Sequence, residues 1–180
     1  MEENNIKNYQ RRHVRENNSH VRNRSGNIEF HPKTGSVKSM NFENYAAEGN
    51  RFINEVADEL DVDRNRAARV TRAVLHAIRD RIPADDAIQF AQGLPMALKG
   101  VFIEGYDISL TPIVIRNPKN FIDFIYSKNG KAAHSDFPSG QYVIEALRGV
   151  FRVLERNMDY GQVHQIKNLI NAEIIDLIEQ

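Results

Sequence analysis

Five cationic side chains follow one another at the spacing of a single helical face. Their positions are three, three, four and three residues apart, and they are Arg66, Arg69, Arg72, His76 and Arg79. Because an α-helix turns by about 100° per residue, this spacing stacks the side chains along one stripe. Such a stripe could clamp phosphates or the acidic surface of a partner protein. We favour the alternative, a solvated face neutralised by Asp58, Glu59 and Asp80, because charged helix faces are common.

A second set of cations lies near the N-terminus. Residues 1–40 hold 8 Lys and Arg residues against 4 Asp and Glu residues, a net charge of +4, which leaves 16 basic and 20 acidic residues, or −4, in residues 41–180. The arginines in question are Arg11, Arg12, Arg15, Arg22 and Arg24. They could contact nucleic acid. However, Tyr9 and Phe30 are the only aromatic residues among them that could stack on bases, and residues 41–180, with a net charge of −4, repel polyanions.

Residues 1–39, called the arm below, are dominated by Asn, Arg, Ser and His. Their apolar residues are too sparse to bury a face, so we expect the arm to be flexible in isolation. If the arm is held in place, a partner or another subunit is expected to hold it. Residues 40–180 are called the body.

Arg81 differs from the stripe because it falls on the apolar side of the same helical wheel, beside Val70 and Val74. Near a helix C-terminus, its guanidinium can satisfy terminal carbonyls or pair with a carboxylate, for which Asp107 and Glu104 are candidates. We expect a structural role for Arg81, with ligand binding as the alternative.

The segment Gly93-Leu94-Pro95 and the glycines after it are interpreted as structural. Proline is tolerated at the first position of a helix, so Pro95 lets one helix end and the next begin at an angle. Gly100 is expected to permit a close helix contact and Gly105 a left-handed helix end.

We predict no catalytic, cofactor or metal site. The histidines lack the spacing of a metal site, and the chain contains no cysteine. Neither a glycine-rich phosphate loop nor a Gly-x-Ser-x-Gly or His-Glu-x-x-His motif occurs. An enzyme with a cleft between repeats is therefore the least favoured class.

Apolar residues at helical spacing predict an all-α fold. Helices are expected over about 41–60, after a cap at Asp63, from Pro83 to Gly93, from Pro95 to Phe102, after Asn117-Pro118, through Val143 to Met158, and from Asp159 to the C-terminus. The segment "SLTPIVIR" is predicted to be an extended connector, and "KNGKAAHSDFPSG" a loop.

The second half of the body repeats the first. "RAVLHAIRDRI" (72–82) aligns with "RGVFRVLERNM" (148–158), 76 residues later. We predict two tandem units of three to four helices, residues 40–108 and 118–180, joined by a connector over 109–117 and packed into one bundle. Because neither unit offers much core alone, their apolar faces should cover each other. The shared core should contain Phe52, Val74, Ile78, Leu98, Val150, Leu154, Ile170 and Ile174.

Three segments, "NRFINEVADELDV", "AVLHAIRDRIP" and "LPMALKGVFIEGYD", resemble the bacterial family of unknown function 2267 (DUF2267). The resemblance runs from about Met40 to the C-terminus and is more specific in the first repeat. The resemblance implies an all-helical, soluble bacterial protein. It does not imply any established activity, substrate or catalytic residue.

The leading functional hypothesis is a non-enzymatic assembly protein of the bacterial cytoplasm whose arm docks on a protein partner or on another copy of the same protein. A nucleic-acid- or ribosome-associated protein that uses the arm is the alternative. No apolar run approaches the ~20 residues of a membrane span, and no secretory signal is visible, so neither a membrane nor a secreted location is expected.

Overall fold

The computed structural model describes residues 20–22, 28–30, 40–170 and 172–179. The chain divides into two compact units, residues 1–40 and residues 41–180. In the first unit, strand β1 (His20–Arg22) pairs antiparallel with strand β2 (Ile28–Phe30), and Val21 lies opposite Glu29. The other residues of the arm, which we expect to be flexible, lie outside the described residues.

The described part of the second unit is all-α, as predicted. Its helices are α1 (Phe42–Leu60), α2 (Arg64–Arg81), α3 (Ala84–Gly93), α4 (Met96–Ile103), α5 (Pro118–Lys128), α6 (Ala133–Asp136), α7 (Gly140–Asn157), α8 (Tyr160–Leu169) and α9 (Ala172–Glu179). Two short 3-10 turns cover Ile108–Leu110 and Gly130–Ala132.

Side-chain caps fix the starts of α1 and α2. Asn41 precedes α1 and accepts a hydrogen bond from the Asn44 amide at 3.0 Å. Asp63 precedes α2 and accepts from the Asn65 and Arg66 amides at 2.9 and 3.0 Å. Such caps satisfy amides that have no partner within the helix.

The internal repeat is visible in the helix bounds. Helices α7, α8 and α9 each begin and end 76 residues after α2, α3 and α4. Helix α1 packs on α2, α4 and α7, while α2 also packs on α5 and α3 on α8. Because helices from both repeats interleave in this way, residues 41–180 form one unit with a shared core.

The predicted core is confirmed. All eight predicted residues are buried and belong to one cluster: Phe52, Val74, Ile78, Leu98, Val150, Leu154, Ile170 and Ile174. Every buried member of this cluster lies between Phe52 and Ile178. The second unit therefore has a hydrophobic core of its own.

The C-terminal segment differs from the prediction of one continuous final helix. Helix α8 ends at Leu169, where Ile170 adopts an extended conformation with φ −89° and ψ 137°. The equivalent residue of the first repeat, Leu94, is extended in the same way, with φ −70° and ψ 150°. Pro95 follows Leu94, whereas no proline marks the second break. The packing of the repeat, rather than a proline, therefore ends α8 at Leu169.

Two smaller expectations were also wrong. The predicted loop contains the 3-10 turn Gly130–Ala132 and the single-turn helix α6. Gly100 makes no close helix contact, since an added Cβ would meet nothing within 4 Å. The close approach lies at Gly49, where an added Cβ would lie 2.9 Å from Ala97 Cβ, so α1 and α4 touch there instead.

Candidate functional site: the α2 stripe and the adjacent cleft

The first two arginines of the stripe bind α6 of the second repeat. Arg69 donates from Nε to Asp136 Oδ2 and from Nη2 to Asp136 Oδ1, both at 2.7 Å. Arg66 Nη2 donates to the Asp136 carbonyl oxygen at 2.6 Å, and its guanidinium lies 5.6 Å from the Tyr142 ring centroid. Both arginines therefore join the two repeats.

Asp136 is the centre of this contact and is only 2% exposed. Its carboxylate also accepts a hydrogen bond from Asn129 Nδ2 at 2.9 Å. The hydrogen bonds from Arg69 lower the pKa of Asp136, and this outweighs the opposing effect of burial. Asp136 therefore stays ionised in the folded protein, as an acceptor for Arg69.

Arg72 lies at the exposed centre of the stripe. Its Nε donates to Glu104 Oε2 at 2.9 Å, and this hydrogen bond lowers the pKa of Glu104. Both side chains are exposed to solvent. This pair is an ordinary surface ion pair, a class that contributes little to stability.

His76 is buried, with 5% of its surface exposed. Its Nε2 donates to the Val101 carbonyl oxygen of α4 at 2.6 Å. Burial lowers the pKa of His76, and the charges of Arg79 and Arg72 lower it further. The imidazole is therefore held neutral as a donor to the backbone of α4.

Arg79 is the most buried member of the stripe, at 2% exposure. Its Nη1 donates to the carbonyl oxygens of Phe102 and Glu104 at 2.6 and 2.9 Å, at the C-terminal end of α4. Its Nε donates to Asp80 Oδ1 at 2.7 Å, and its guanidinium lies 4.7 Å from the Tyr106 ring centroid. A cation at this position neutralises the negative end of the α4 dipole.

Asp80 connects this group to α5, because Lys128 Nζ donates to Asp80 Oδ2 at 2.6 Å. Burial would raise the pKa of Asp80, but the hydrogen bonds from Arg79 and Lys128 outweigh it and lower the pKa. The Asp80 carbonyl oxygen also accepts from the Ile113 amide at 2.7 Å, which fixes the connector. Arg79, Asp80 and Lys128 thus form a buried charged cluster.

The prediction of a solvated stripe is therefore wrong for its second half, since His76 and Arg79 face α4. The neutralising groups also differ from those expected. Asp80 does pair with Arg79. Glu59, however, accepts from Arg152 Nε and Arg156 Nη2, at 2.6 and 2.8 Å. The acceptors of the first half, Asp136 and Glu104, come from later elements that the stripe spacing does not indicate.

Arg81 lies on the opposite side of α2. Its Nη1 donates to the Ile115 carbonyl oxygen at 2.6 Å, and its guanidinium lies 5.2 Å from the Phe121 ring centroid. Glu104 pairs with Arg72, and Asp107 accepts a hydrogen bond from Ser109. The prediction that one of these carboxylates pairs with Arg81 was therefore wrong. Arg81 therefore holds the connector against α5.

The other residues singled out in the sequence lie apart from the stripe. Pro95 immediately precedes α4, so that helix begins at Met96, one residue later than expected. Gly105 has a φ of +64°, in the left-handed region that favours glycine. Arg22 lies in β1, and the other arm arginines, Arg11, Arg12, Arg15 and Arg24, are outside the described residues.

A cleft of 270 Å³ opens beside Arg66, between the end of α1 and the starts of α2 and α7. Its apolar lining includes Val62, Val70, Phe137 and Ala146. Asp61, Tyr142 and Glu145 also line it and are exposed. The sequence named a cleft between the repeats only for the least favoured class, an enzyme, and did not indicate these lining residues, because they meet only where the two repeats pack. The signal in the sequence was Phe137, a single aromatic residue in an otherwise polar segment, which indicates a buried contact there.

Within the described ranges, no group of three or more His, Asp and Glu residues could hold a metal ion. No helix in that part of the chain is long and apolar enough to cross a membrane.

A protein-family model described as an uncharacterized conserved protein (DUF2267) matches residues 49–177. No curated protein matches the chain. The matched range contains α2, the buried charged cluster and the cleft, and it leaves the arm outside. The chain belongs to the DUF2267 family.

Proposed function

We propose that this protein is a non-enzymatic assembly protein of the bacterial cytoplasm, whose arm docks on the body of another copy. The observation that carries the proposal is the opposite charge of the two segments, +4 from 8 basic and 4 acidic residues in 1–40, and −4 from 16 and 20 in 41–180. Opposite charges on two segments favour their association and its rate.

The α2 stripe supports a protein partner over a nucleic acid. The guanidinium groups of Arg69, Arg72 and Arg79 all donate to acceptors of the body, with donor–acceptor distances of 2.6–2.9 Å. A phosphate would have to displace these acceptors, which include three carboxylates, those of Asp136, Glu104 and Asp80. The nucleic-acid alternative therefore rests on the arm arginines alone.

Exposed aliphatic side chains supply a second supporting observation. Ile103, Ile108, Leu110 and Val114, around the start of the connector, are each more than half exposed. Large apolar side chains left in contact with water are typical of protein interaction surfaces when they are contiguous.

Sedimentation equilibrium of the full chain, compared with a chain that starts at Met40, tests the proposal. The shorter chain keeps the whole hydrophobic core, so its helix content and melting temperature should be nearly unchanged. We expect the full chain to associate and the shorter chain to remain monomeric. A full chain that stays monomeric at high concentration contradicts the proposal.

The nucleic-acid alternative has its own measurement. If the arm binds RNA, the full chain should be retained on an RNA column, and retention should fall steeply with salt as counterions are released. The chain starting at Met40 should pass through in either case. Salt-dependent retention of a full chain that does not associate with itself would favour the alternative.

A further inference from the structure

The two repeats of the body are related by a pseudo-two-fold axis. Helix α5 comes before the long helix α7 as α1 comes before the long helix α2. Helix α1 packs on α7 and, reciprocally, α5 packs on α2, while α3 packs on its own equivalent, α8. Reciprocal contacts between equivalent elements are the mark of a two-fold relationship.

The cleft beside Arg66 lies on this axis. Three pairs of equivalent residues, each pair 76 positions apart, line it: Asp61 and Phe137, Arg66 and Tyr142, and Val70 and Ala146. The last pair is apolar and buried in both repeats. Each of the other two pairs joins one charged and one aromatic residue. The cleft is therefore built by both repeats from matching positions, but its two sides differ in chemistry.

The charged groups that line the cleft are mainly acidic. They are the carboxylates of Asp61, Asp136 and Glu145 and the guanidinium of Arg66. Arg69 already pairs with Asp136, and Arg66 donates to the Asp136 carbonyl oxygen. The carboxylates that remain for a ligand are those of Asp61 and Glu145.

Asp61 and Glu145 form the rim of the cleft, because both are exposed to solvent. Neither forms an ion pair with another described residue. Glu145 accepts one hydrogen bond, of 3.4 Å, from Gln141 Nε2. A cation at the rim would therefore meet two carboxylates whose charge is not neutralised within the described part of the chain.

The floor of the cleft is apolar. Val70, Phe137 and Ala146 are buried, and the space above them measures 270 Å³. This volume lies at the lower end of the range of small-molecule sites, ~300–1,000 Å³. Burial of an apolar group on such a floor is favourable, because it removes apolar surface from water.

The surroundings of the cleft favour a small molecule over a protein partner. Of the residues that line it, Tyr142 is the only large apolar side chain that is exposed, at 45%. The core of a protein interface needs a wider apolar surface than one exposed ring.

We propose that this cleft binds a small organic cation, a free amine with an apolar body. Its ammonium group lies at the two rim carboxylates, and its body rests on the buried floor. The site lies within the body and makes no use of the arm, so the inference goes beyond the proposed function and does not depend on it. Because both repeats line the cleft, the bound amine also holds the repeats together and raises the melting temperature.

Titration of the full chain with phenethylamine, followed by amide chemical shifts at neutral pH, tests the site. We expect saturable shifts centred on Val70, Phe137 and Ala146. Phenethyl alcohol lacks the charge and ethylamine lacks the ring, so each should bind about tenfold more weakly. Phenylacetate, an anion, should not bind. Equal affinities for the amine and the alcohol, or for phenethylamine and ethylamine, overturn the inference, and so does a titration without saturation.

Two variants test the rim. Asp61→Asn and Glu145→Gln should each weaken phenethylamine binding about tenfold, because each removes one carboxylate charge. Both positions are exposed, so the melting temperature without ligand should be nearly unchanged. Unchanged affinity in both variants overturns the inference.

Glu48→Gln is the matched control. Glu48 is exposed and lines a different cleft, of 300 Å³, whose other charged residues are Arg51 and Lys99. This variant should bind phenethylamine as tightly as the unchanged protein. Shifts centred on the Glu48 cleft rather than on the floor at Phe137 contradict the proposed site.

A blocked lysine peptide, which presents the same ammonium group on a polypeptide, distinguishes a free amine from a protein ligand. It should bind more weakly than phenethylamine, because its backbone finds no apolar surface around the cleft. Tighter binding of the peptide would assign the cleft to a protein partner and overturn the inference.

Discussion

Arg69 of α2 and Asp136 of α6 are joined across the two repeats by two parallel hydrogen bonds, each 2.7 Å long. The two residues are 67 positions apart in the chain. Arg69 is 44% exposed while Asp136 is 2% exposed, so the buried carboxylate depends on a partner that reaches in from the surface. Bidentate pairs of this kind fix both distance and orientation.

Asp136→Asn should destabilise the body by about 1–3 kcal/mol, because it removes the charge that Arg69 and Asn129 bind. Urea unfolding monitored by circular dichroism measures the loss. Asp123→Asn is the matched control, since Asp123 forms an exposed pair with Lys119, and it should cost at most about 0.5 kcal/mol. Equal effects of the two changes would show that the Arg69–Asp136 pair does not join the repeats energetically.

Arg79→Met should cost about 3 kcal/mol or more, because it leaves Asp80 and two carbonyls of the α4 end without their buried donor. Arg72→Met, about two turns earlier on the same stripe, should leave the urea midpoint nearly unchanged, because its pair with Glu104 is exposed. A larger effect of Arg72→Met than of Arg79→Met contradicts the burial of the second half of the stripe.

His76 should make the stability of the body depend on pH between neutral and mildly acidic conditions. Its pKa is lowered in the folded state by burial, so below the unfolded-state value of about 6.5 the unfolded chain binds more protons. The contribution is fully present above that value and is lost as the pH falls toward the lower folded pKa. Melting temperatures from pH 7.5 to 5 measure it.

His76→Gln keeps a donor for the Val101 carbonyl and does not titrate, so its melting temperature should fall less over the same range. His164→Gln, at an exposed histidine, should behave like the unchanged protein. Parallel curves for all three proteins would rule out a role for His76 in the pH dependence.

Leu154→Ala should cost about 2–5 kcal/mol, because Leu154 is fully buried in the core and its truncation leaves a cavity. Leu169→Ala is the control, since Leu169 ends α8 and is partly exposed to solvent. It should cost clearly less in the same urea titration. A Leu154→Ala protein with an unchanged midpoint would be inconsistent with the shared core of the two repeats.

The sequence alone determined the long helices, the repeat and the core, but not the single-turn helix α6 or the break between α8 and α9. Amphipathic spacing is a local property, so α1, α2 and α7 follow from residues such as Phe52, Val74 and Leu154. The 76-residue offset, read from matching letters, reappears in the bounds of three pairs of helices. Local signals of this kind require no knowledge of what lies across the core.

Only the tertiary structure decided which charged residues are buried and what they bind. The spacing of the α2 stripe places His76 and Arg79 beside Arg72, but α4 covers the first two and leaves the third in water. Asp136 and Lys128 reach α2 from segments far along the chain, and no local pattern encodes that meeting. The break at Ile170 and the cleft beside Tyr142 likewise arise where the two repeats pack, because packing between distant elements outweighs local propensity there.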